Sequence, residues 1–356
     1  GDDDMIVSHN SDFTIFENDG AGAFTGLGGY NVDGDLPMVC VGDFDGDGDR
    51  DLAGTAPSYG HATILLNKGD ATFRNCDYYS LSYVAAINSS DFNGDGNPDL
   101  AATYLSFTTK LAIYLGDGEG AIQRSFDYDV GPEAQWIDIA DYNSDTYDDI
   151  ALSNRAPNTV SILLGKGDGT FQSKADYAAG GIAIQTCSAD FDGDGALDLA
   201  VTNSIPSQIG ILFGNGDGTF QSPVIYASPV DLPKPYSICA ADFDGDGDTD
   251  LAVGAYECTY MAKSLGVFMN NGDGTFQAPT LYYSEWGTRI VAADIDRDGD
   301  VDIAAAHSGG LTIHLNNGSG AFQVFATYGI FNTISFCLSD LNLDGYLDVA
   351  TCGQIN

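Results

Sequence analysis

The sequence predicts an all-β fold, a seven-bladed β-propeller of four-stranded antiparallel blades spanning residues 1–356 as one domain, and three observations predict it. First, an acidic loop of one design, D-x-[DN]-x-[DN]-G-x-x-D followed by an apolar residue, begins at Asp43, Asp91, Asp141, Asp190, Asp242, Asp294 and Asp340. Second, successive starts lie 48, 50, 49, 52, 52 and 46 residues apart, a period that marks a repeat architecture and overrides the two-domain expectation from length. Third, the runs between loops are short and apolar, with no helical period. Repeated four-stranded antiparallel sheets around an axis make a propeller.

Each period reads as strand A, acidic loop, strand B, strand C, a Gly-rich turn and strand D. In the fifth repeat strand A is expected at residues 236–241, B at 251–255, C at 265–270 and D at 276–282. The Gly-rich turn is clearest at residues 215–221, with counterparts at 166–172, 271–277 and 317–323 and weaker ones at 18–25, 67–74 and 116–123. Asp-Gly between apolar runs is a hairpin signal, and the Phe after it is expected to wedge between neighbouring repeats. At the ends, residues 334–338 read as a strand A, while 4–8 and 347–351 both read as strand B. The closing blade therefore draws on both termini and has two claimants for one position. Either one strand is frayed or it pairs with a neighbouring molecule by strand addition, a route to self-association.

The loops are the candidate metal sites. A hard divalent cation takes six to eight oxygens at about 2.3–2.6 Å, and alternate positions of a tight loop converge on one centre. Positions 1, 3, 5 and 9 are carboxylates or amides throughout: Asp43, Asp45, Asp47 and Asp51; Asp91, Asn93, Asp95 and Asp99; Asp141, Asn143, Asp145 and Asp149; Asp190, Asp192, Asp194 and Asp198; Asp242, Asp244, Asp246 and Asp250; Asp294, Asp296, Asp298 and Asp302; Asp340, Asn342, Asp344 and Asp348. Position 7 is Asp49, Asn97, Tyr147, Ala196, Asp248, Asp300 and Tyr346; Ala and Tyr make poor side-chain ligands, so this position is assigned its backbone carbonyl. Position 6 is Gly except at Thr146, where the sharp turn calls for positive φ. An EF-hand needs a bidentate Glu at position 12 and flanking helices. Position 12 here is Gly54, Ala102, Leu152, Val201, Val253, Ala305 and Thr351, so each loop closes a β-hairpin with the ninth-position Asp as last ligand. Up to seven Ca²⁺ are expected; Mg²⁺ prefers strict octahedral geometry and soft metals disfavour all-oxygen sites.

The chain carries 52 acidic and 12 basic residues, a net charge of −40, and 29 of the acids lie in the loops. Seven Ca²⁺ would bring the charge to roughly −26. A competing source of such acidity is adaptation to high salt. Nucleic-acid binding is disfavoured without a basic patch, as is a bare anionic membrane surface. No apolar run reaches the roughly 20 residues of a membrane span. The start, Gly-Asp-Asp-Asp, reads as a mature or excerpted fragment, and millimolar calcium places the protein outside cells. Of seven cysteines, Cys40, Cys187, Cys239 and Cys337 lie three residues before a loop and read as buried small fillers; Cys337 and Cys352 flank the last loop and are the one candidate disulfide. Cys76 and Cys258 have no evident partner.

The D-x-[DN]-x-[DN]-G-x-x-D-[LIV] loops and G-[DS]-G-x-[FI] turns resemble the FG-GAP (VCBS-type) repeats of integrin α-subunit propellers and many secreted bacterial proteins, over nearly the whole chain. The resemblance implies a calcium-stabilised propeller used in recognition and adhesion. Departures are Thr146, Ile122 in place of Phe, and the turn at 67–72 without its second Gly.

Strand direction puts the acidic loops and Gly-rich turns on one rim and the B–C and D–A connections on the other. The first rim repeats almost verbatim; the second differs in every blade, as suits specific contact with a protein or glycan. Its candidate ligand residues are Tyr59, His61, Tyr104, Phe107, Arg155, Tyr256, Tyr260 and Trp286, with Tyr78, Tyr79, Tyr128, Trp136, Tyr282 and Arg289 as further aromatic and cationic anchors. His9, His61, His307 and His314 form no nucleophile or metal motif, and calcium accounts for the paired carboxylates, so an enzyme is not expected. A lectin and a structural subunit of a surface assembly are the alternatives.

Overall fold

The computed structural model describes residues 3–9, 12–18, 24–31, 38–56, 60–70, 72–80, 84–105, 108–256, 264–284, 287–307, 309–329, 333–341 and 347–353. In the fifth repeat, strands Pro235–Ala241, Asp250–Ala255, Leu265–Phe268 and Thr280–Tyr282 pair in order, each antiparallel to the next. The isolated bridge Asn270↔Phe276 continues the last pairing. Sheets of the same order start at innermost strands Met38–Gly42, Val84–Ser90, Ala134–Ala140, Ala183–Ala189 and Gly287–Ala293. The second strands are buried along their length where burial is described, as in Asp198–Asn203 and Asp250–Ala255, except at Leu105, the exposed last residue of Asp99–Leu105. That explains why strand B reads as a continuous apolar run, since a strand covered on both faces has no polar side to present.

Six blades, not the expected seven, are four-stranded and antiparallel among the described residues. The sheet carrying the termini is different. Its order is Thr333–Ser339, Asp348–Gly353, Asp3–His9, Asp12–Asn18, Phe24–Asn31, and the strand from each terminus meets the other in parallel, Met5 opposite Val349 and Val7 opposite Thr351. Both claimants for strand B are thus accommodated side by side. Each has a paired strand on both sides within the sheet, which gives its backbone groups partners there. The innermost strand Thr333–Ser339 lies beside both Gly287–Ala293 and Met38–Gly42, which closes the ring.

The core is a series of interfaces between consecutive blades. Phe220 of one Gly-rich turn packs edge-on against Tyr142 and Tyr177 of the preceding blade, with centroids 5.7 and 5.5 Å away. Phe171, Phe276 and Phe322 repeat the arrangement against Phe92 and Tyr128, Phe191 and Tyr226, and Phe243 and Tyr282. The expected Phe wedge is therefore present. Its Tyr partner was read from sequence as a ligand anchor: Tyr79, Tyr128 and Tyr282 instead accept the backbone N–H of Ile122, Phe171 and Phe322 across the blade boundary.

Candidate metal centres and the opposite face

The acidic loops fold by a hydrogen-bond pattern set by their spacing. The first carboxylate accepts the N–H of position 6 in each described loop, as from Gly96 to Asp91 at 2.8 Å and from Gly195 to Asp190 at 2.9 Å. The fifth accepts the N–H of position 7, as from Ala196 to Asp194 at 2.8 Å. Among the described loops position 6 has positive φ, between 75° at Thr146 and 97° at Gly299, and position 4 does too, including Ser144 and Arg297. The position 6 requirement was legible; the one at position 4 was not.

The ninth-position carboxylate does more than the sequence assigned to it. Asp198 is fully buried and accepts the N–H of Phe191 at 2.9 Å on one oxygen and that of Gly214 at 2.8 Å on the other. Asp51, Asp99, Asp149, Asp250 and Asp302 make the same two bonds. Each latches its loop to the Gly-rich turn of the same blade. Burial pushes these carboxyls up, against the opposing backbone hydrogen bonds, to about 7 at Asp51 and Asp149 and about 6 at the other four.

Four loops bring three carboxylate oxygens within 4.8 Å of one another: Asp43, Asp45 and Asp51; Asp190, Asp192 and Asp194; Asp242, Asp244 and Asp246; Asp294, Asp296 and Asp302. That spacing is what oxygens on a sphere of about 2.4 Å radius allow. Asp43 Oδ1, Asp45 Oδ1 and Asp294 Oδ1 are buried with no hydrogen-bond partner, a costly state for a carboxylate unless a cation faces it. The donor set, all oxygen and mostly anionic, fits Ca²⁺. In the second and third loops Asn93 and Asn143 stand at position 3 and donate to Asp95 and Asp145. Among the described residues, every group of three or more potential metal-ligating side chains belongs to these loops. Position 7 side chains lie beside the Gly-rich turn: a Cβ at Gly272 would sit 2.4 Å from Asp248 Oδ2, and one at Gly118 2.4 Å from Asn97 Oδ1. Asn342, Asp344 and Tyr346 of the seventh loop fall outside the described residues, and only the backbone of Asp348 is described.

The loops and Gly-rich turns share one rim. Gly120, Gly169, Gly218 and Gly320 donate their N–H to Phe44 O, Phe92 O, Tyr142 O and Phe243 O of the preceding blade. The other connections meet on the opposite face, where Arg155 N donates to Glu133 O and Tyr256 N to Lys234 O. Of the candidate ligand residues there, Tyr256 is 50% exposed and packs on Tyr236 with centroids 5.3 Å apart. Arg155 is exposed, 4.0 Å from Glu133. His61 begins a strand and is half-buried. Tyr104 turns inward: it is buried, with Arg124 donating to its hydroxyl at 2.6 Å and stacking on its ring, so it packs the blade. Tyr59, Phe107, Tyr260 and Trp286 fall outside the described residues. Trp136 and Arg289 sit on innermost strands rather than in D–A loops.

The innermost strands line an axial channel of about 430 Å³. Cys40, Cys187 and Cys239 are free thiols in its wall, and burial pushes all three up, Cys40 and Cys239 to about 12. Register puts Cys337 opposite Ala350 and Cys352 opposite Ser335, so the candidate disulfide pair does not face across its hairpin.

A family model described as an FG-GAP-like repeat matches residues 91–152, 141–201, 190–253, 258–305 and 294–351, and one described as an FG-GAP repeat matches 39–72. Integrin alpha-4 of Xenopus laevis is 39% identical over 87 residues, covering 21% of this chain and 8% of that protein. Among solved structures, an Agrocybe aegerita lectin described as recognising non-reducing terminal N-acetylglucosamine is 18% identical with a TM-score of 0.66, over 99% of this chain and 95% of that one. A functionally unknown protein from Desulfotomaculum acetoxidans is 12% identical with a TM-score of 0.65, over 97% and 96%. A Lactobacillus plantarum protein is 13% identical with a TM-score of 0.64, over 90% and 92%. At these identities the likeness is one of fold.

Proposed function

The chain belongs to the FG-GAP repeat family, and from that premise we propose that it is an extracellular, calcium-stabilised propeller acting as a recognition or adhesion module. The observation that carries this reading is the contrast between the two faces. One face repeats the same latched acidic loop in each described blade; the other presents different residues in every blade. The repeated face is a scaffold and the varied face meets the ligand.

Calcium is structural in this reading. A bound divalent cation supplies the positive charge that offsets the clustered carboxylates. The chain's own residues do the rest: positions 1, 3 and 5 present oxygens, while the ninth Asp fixes the loop to the Gly-rich turn. The protein is not an enzyme in this reading, since its carboxylate clusters are committed to the loops.

The experiment is a pair of substitution sets read by binding to cell-surface protein or a glycan array. Tyr256→Ala with Arg155→Gln, on the varied face, should abolish binding without moving the melting temperature. Asp192→Asn with Asp194→Asn, on the loop face, should lower the melting temperature and leave affinity unchanged once calcium saturates the protein. Binding lost only through the loop face would contradict the proposal. A glycan ligand is the second reading, supported by the lectin among the structural neighbours and by exposed Tyr256.

A further inference from the structure

The described acidic loops differ in what their carboxylates already hold. In the loop starting at Asp91, the first carboxylate accepts N–H groups on both oxygens, from Gly94 and Asp95 on Oδ1 and from Gly96 on Oδ2. Asp141 is bonded on both oxygens too, by the N–H of Asp145 and of Thr146. The amide at position 3 adds a further donor: Asn93 Nδ2 and Asn143 Nδ2 each lie 3.0 Å from the carboxylate at position 5. Protein donors therefore meet much of the demand of these two loops.

The loops starting at Asp43 and Asp294 are built otherwise. Their first carboxylate accepts the N–H of Gly48 or Gly299 on Oδ2, while Oδ1 is buried with no hydrogen-bond partner. Asp45 repeats the pattern. Its Oδ2 takes the Arg74 guanidinium at 3.0 Å, its Oδ1 is buried without a partner, and its side chain is only 9% exposed. Positions 1, 3 and 9 converge in these two loops and bring in fully buried Asp51 and Asp302; the loops starting at Asp190 and Asp242 converge instead through positions 1, 3 and 5, with position 5 exposed. A carboxylate oxygen already withdrawn from water attracts a cation more strongly than a solvated one.

These two loops also share a place in the ring. They sit on the two blades that flank the closing sheet, because the innermost strand Thr333–Ser339 lies between Met38–Gly42 and Gly287–Ala293. Each reaches that sheet through its ninth Asp. Asp51 Oδ1 accepts Asn67 N at 2.7 Å, and Asn67 Nδ2 donates to Leu341 O at 2.6 Å. Asp302 Oδ2 accepts Ile295 N at 2.9 Å, and Ile295 packs in one cluster with Phe24 and Phe336. The closing sheet joins the two ends of the chain through the parallel register of Met5–Val7 with Val349–Thr351, and terminal strands are where local opening starts.

We propose that the loops starting at Asp43 and Asp294 take calcium first and act as a clasp on the closing sheet, whereas those starting at Asp91 and Asp141 fill last. Ligand charge count tunes calcium affinity, and the late pair carries a neutral amide where the clasp pair carries a carboxylate. The clasp rests on calcium being the structural ion of this propeller and assigns its order of binding.

The test is stepwise calcium titration of the EDTA-treated full chain, read by native mass spectrometry for stoichiometry and by hydrogen exchange for location. The first two ions should bind at least about ten-fold more tightly than the last two. They should slow exchange in Met5–Val7 and Val349–Thr351 about ten-fold, before the loops starting at Asp91 and Asp141 gain protection. Asp45→Asn with Asp296→Asn should remove that first step and its protection of the closing sheet. Asn93→Asp with Asn143→Asp should tighten the last step about five-fold or more and leave the first unchanged. Uniform filling, first protection at Asp91 and Asp141, or closing-sheet protection that survives Asp45→Asn with Asp296→Asn would each overturn the clasp. Should that variant fail to fold, the wild-type order and the Asn→Asp pair still decide. Calcium bound in another order removes the clasp and leaves calcium as the structural ion; no calcium bound at millimolar concentration removes both.

Discussion

Thr146 is a β-branched residue held at a φ of 75°, where the other described loops place Gly. Its side chain crowds the backbone there. Thr146→Gly should stabilise the protein by about 1 kcal/mol, the lower end of the cost of such a conformation after the entropy of Gly is counted, as read by denaturant unfolding. His314 is a second residue under strain: it is buried, its ring nitrogens have no hydrogen-bond partner, and burial pushes its pKa down to about 4. The folded value lies below the unfolded one of about 6.5, so the unfolded chain takes up the proton first. Its contribution to stability is complete above pH 6.5 and is lost as pH falls towards 4, by about 3 kcal/mol. His314→Leu should flatten that part of the stability profile relative to wild type; identical profiles would show that His314 does not titrate this way. Neither feature was fully legible. Thr146 stood out against six glycines, but nothing in the chain marks His314 as unpaired.

At the scale of the element, the acidic loop and the Gly-rich turn act as one unit through the ninth Asp. Sequence spacing identified both, yet it read that Asp only as a terminal metal ligand. The two N–H groups it binds lie on different segments, such as Phe191 and Gly214, and only the folded hairpins bring them together. The same limit hid the tyrosines of the blade interface. A Phe after a Gly-rich turn recurs visibly, but Tyr128 and Tyr282 looked like members of varied connections. Phe220→Ala should cost about 3–5 kcal/mol, as expected for a large aromatic deleted from a packed interface, and Tyr128→Phe about 1 kcal/mol for one lost hydrogen bond to Phe171. Equal costs for the two would mean that the hydroxyl, not ring packing, joins the blades.

For the molecule as a whole, period and loop design made the propeller legible, and the four strands of a blade fell close to their expected ranges. That the closing sheet draws on both termini was legible; its fifth strand was not, because two strands of similar sequence seemed to compete for one place. The parallel pair between Asp3–His9 and Asp348–Gly353 gives each its own. The contact of the Arg289 guanidinium with the Trp136 ring was equally out of reach, since it depends on the width of the closed ring. The central claim, that cations in the acidic loops hold this ring together, also belongs to the whole molecule. Sites with affinities in the range of extracellular calcium modules, about 10⁻⁴–10⁻³ M, each add roughly 0.4–1.4 kcal/mol at 1 mM calcium, and the loops together add several. The most direct measurement is the thermal midpoint of the intact chain in 1 mM Ca²⁺ against EDTA at matched ionic strength. A rise on the order of 10 °C with calcium, absent with the same concentration of Mg²⁺, is the predicted result; the same midpoint in EDTA and in calcium would contradict it.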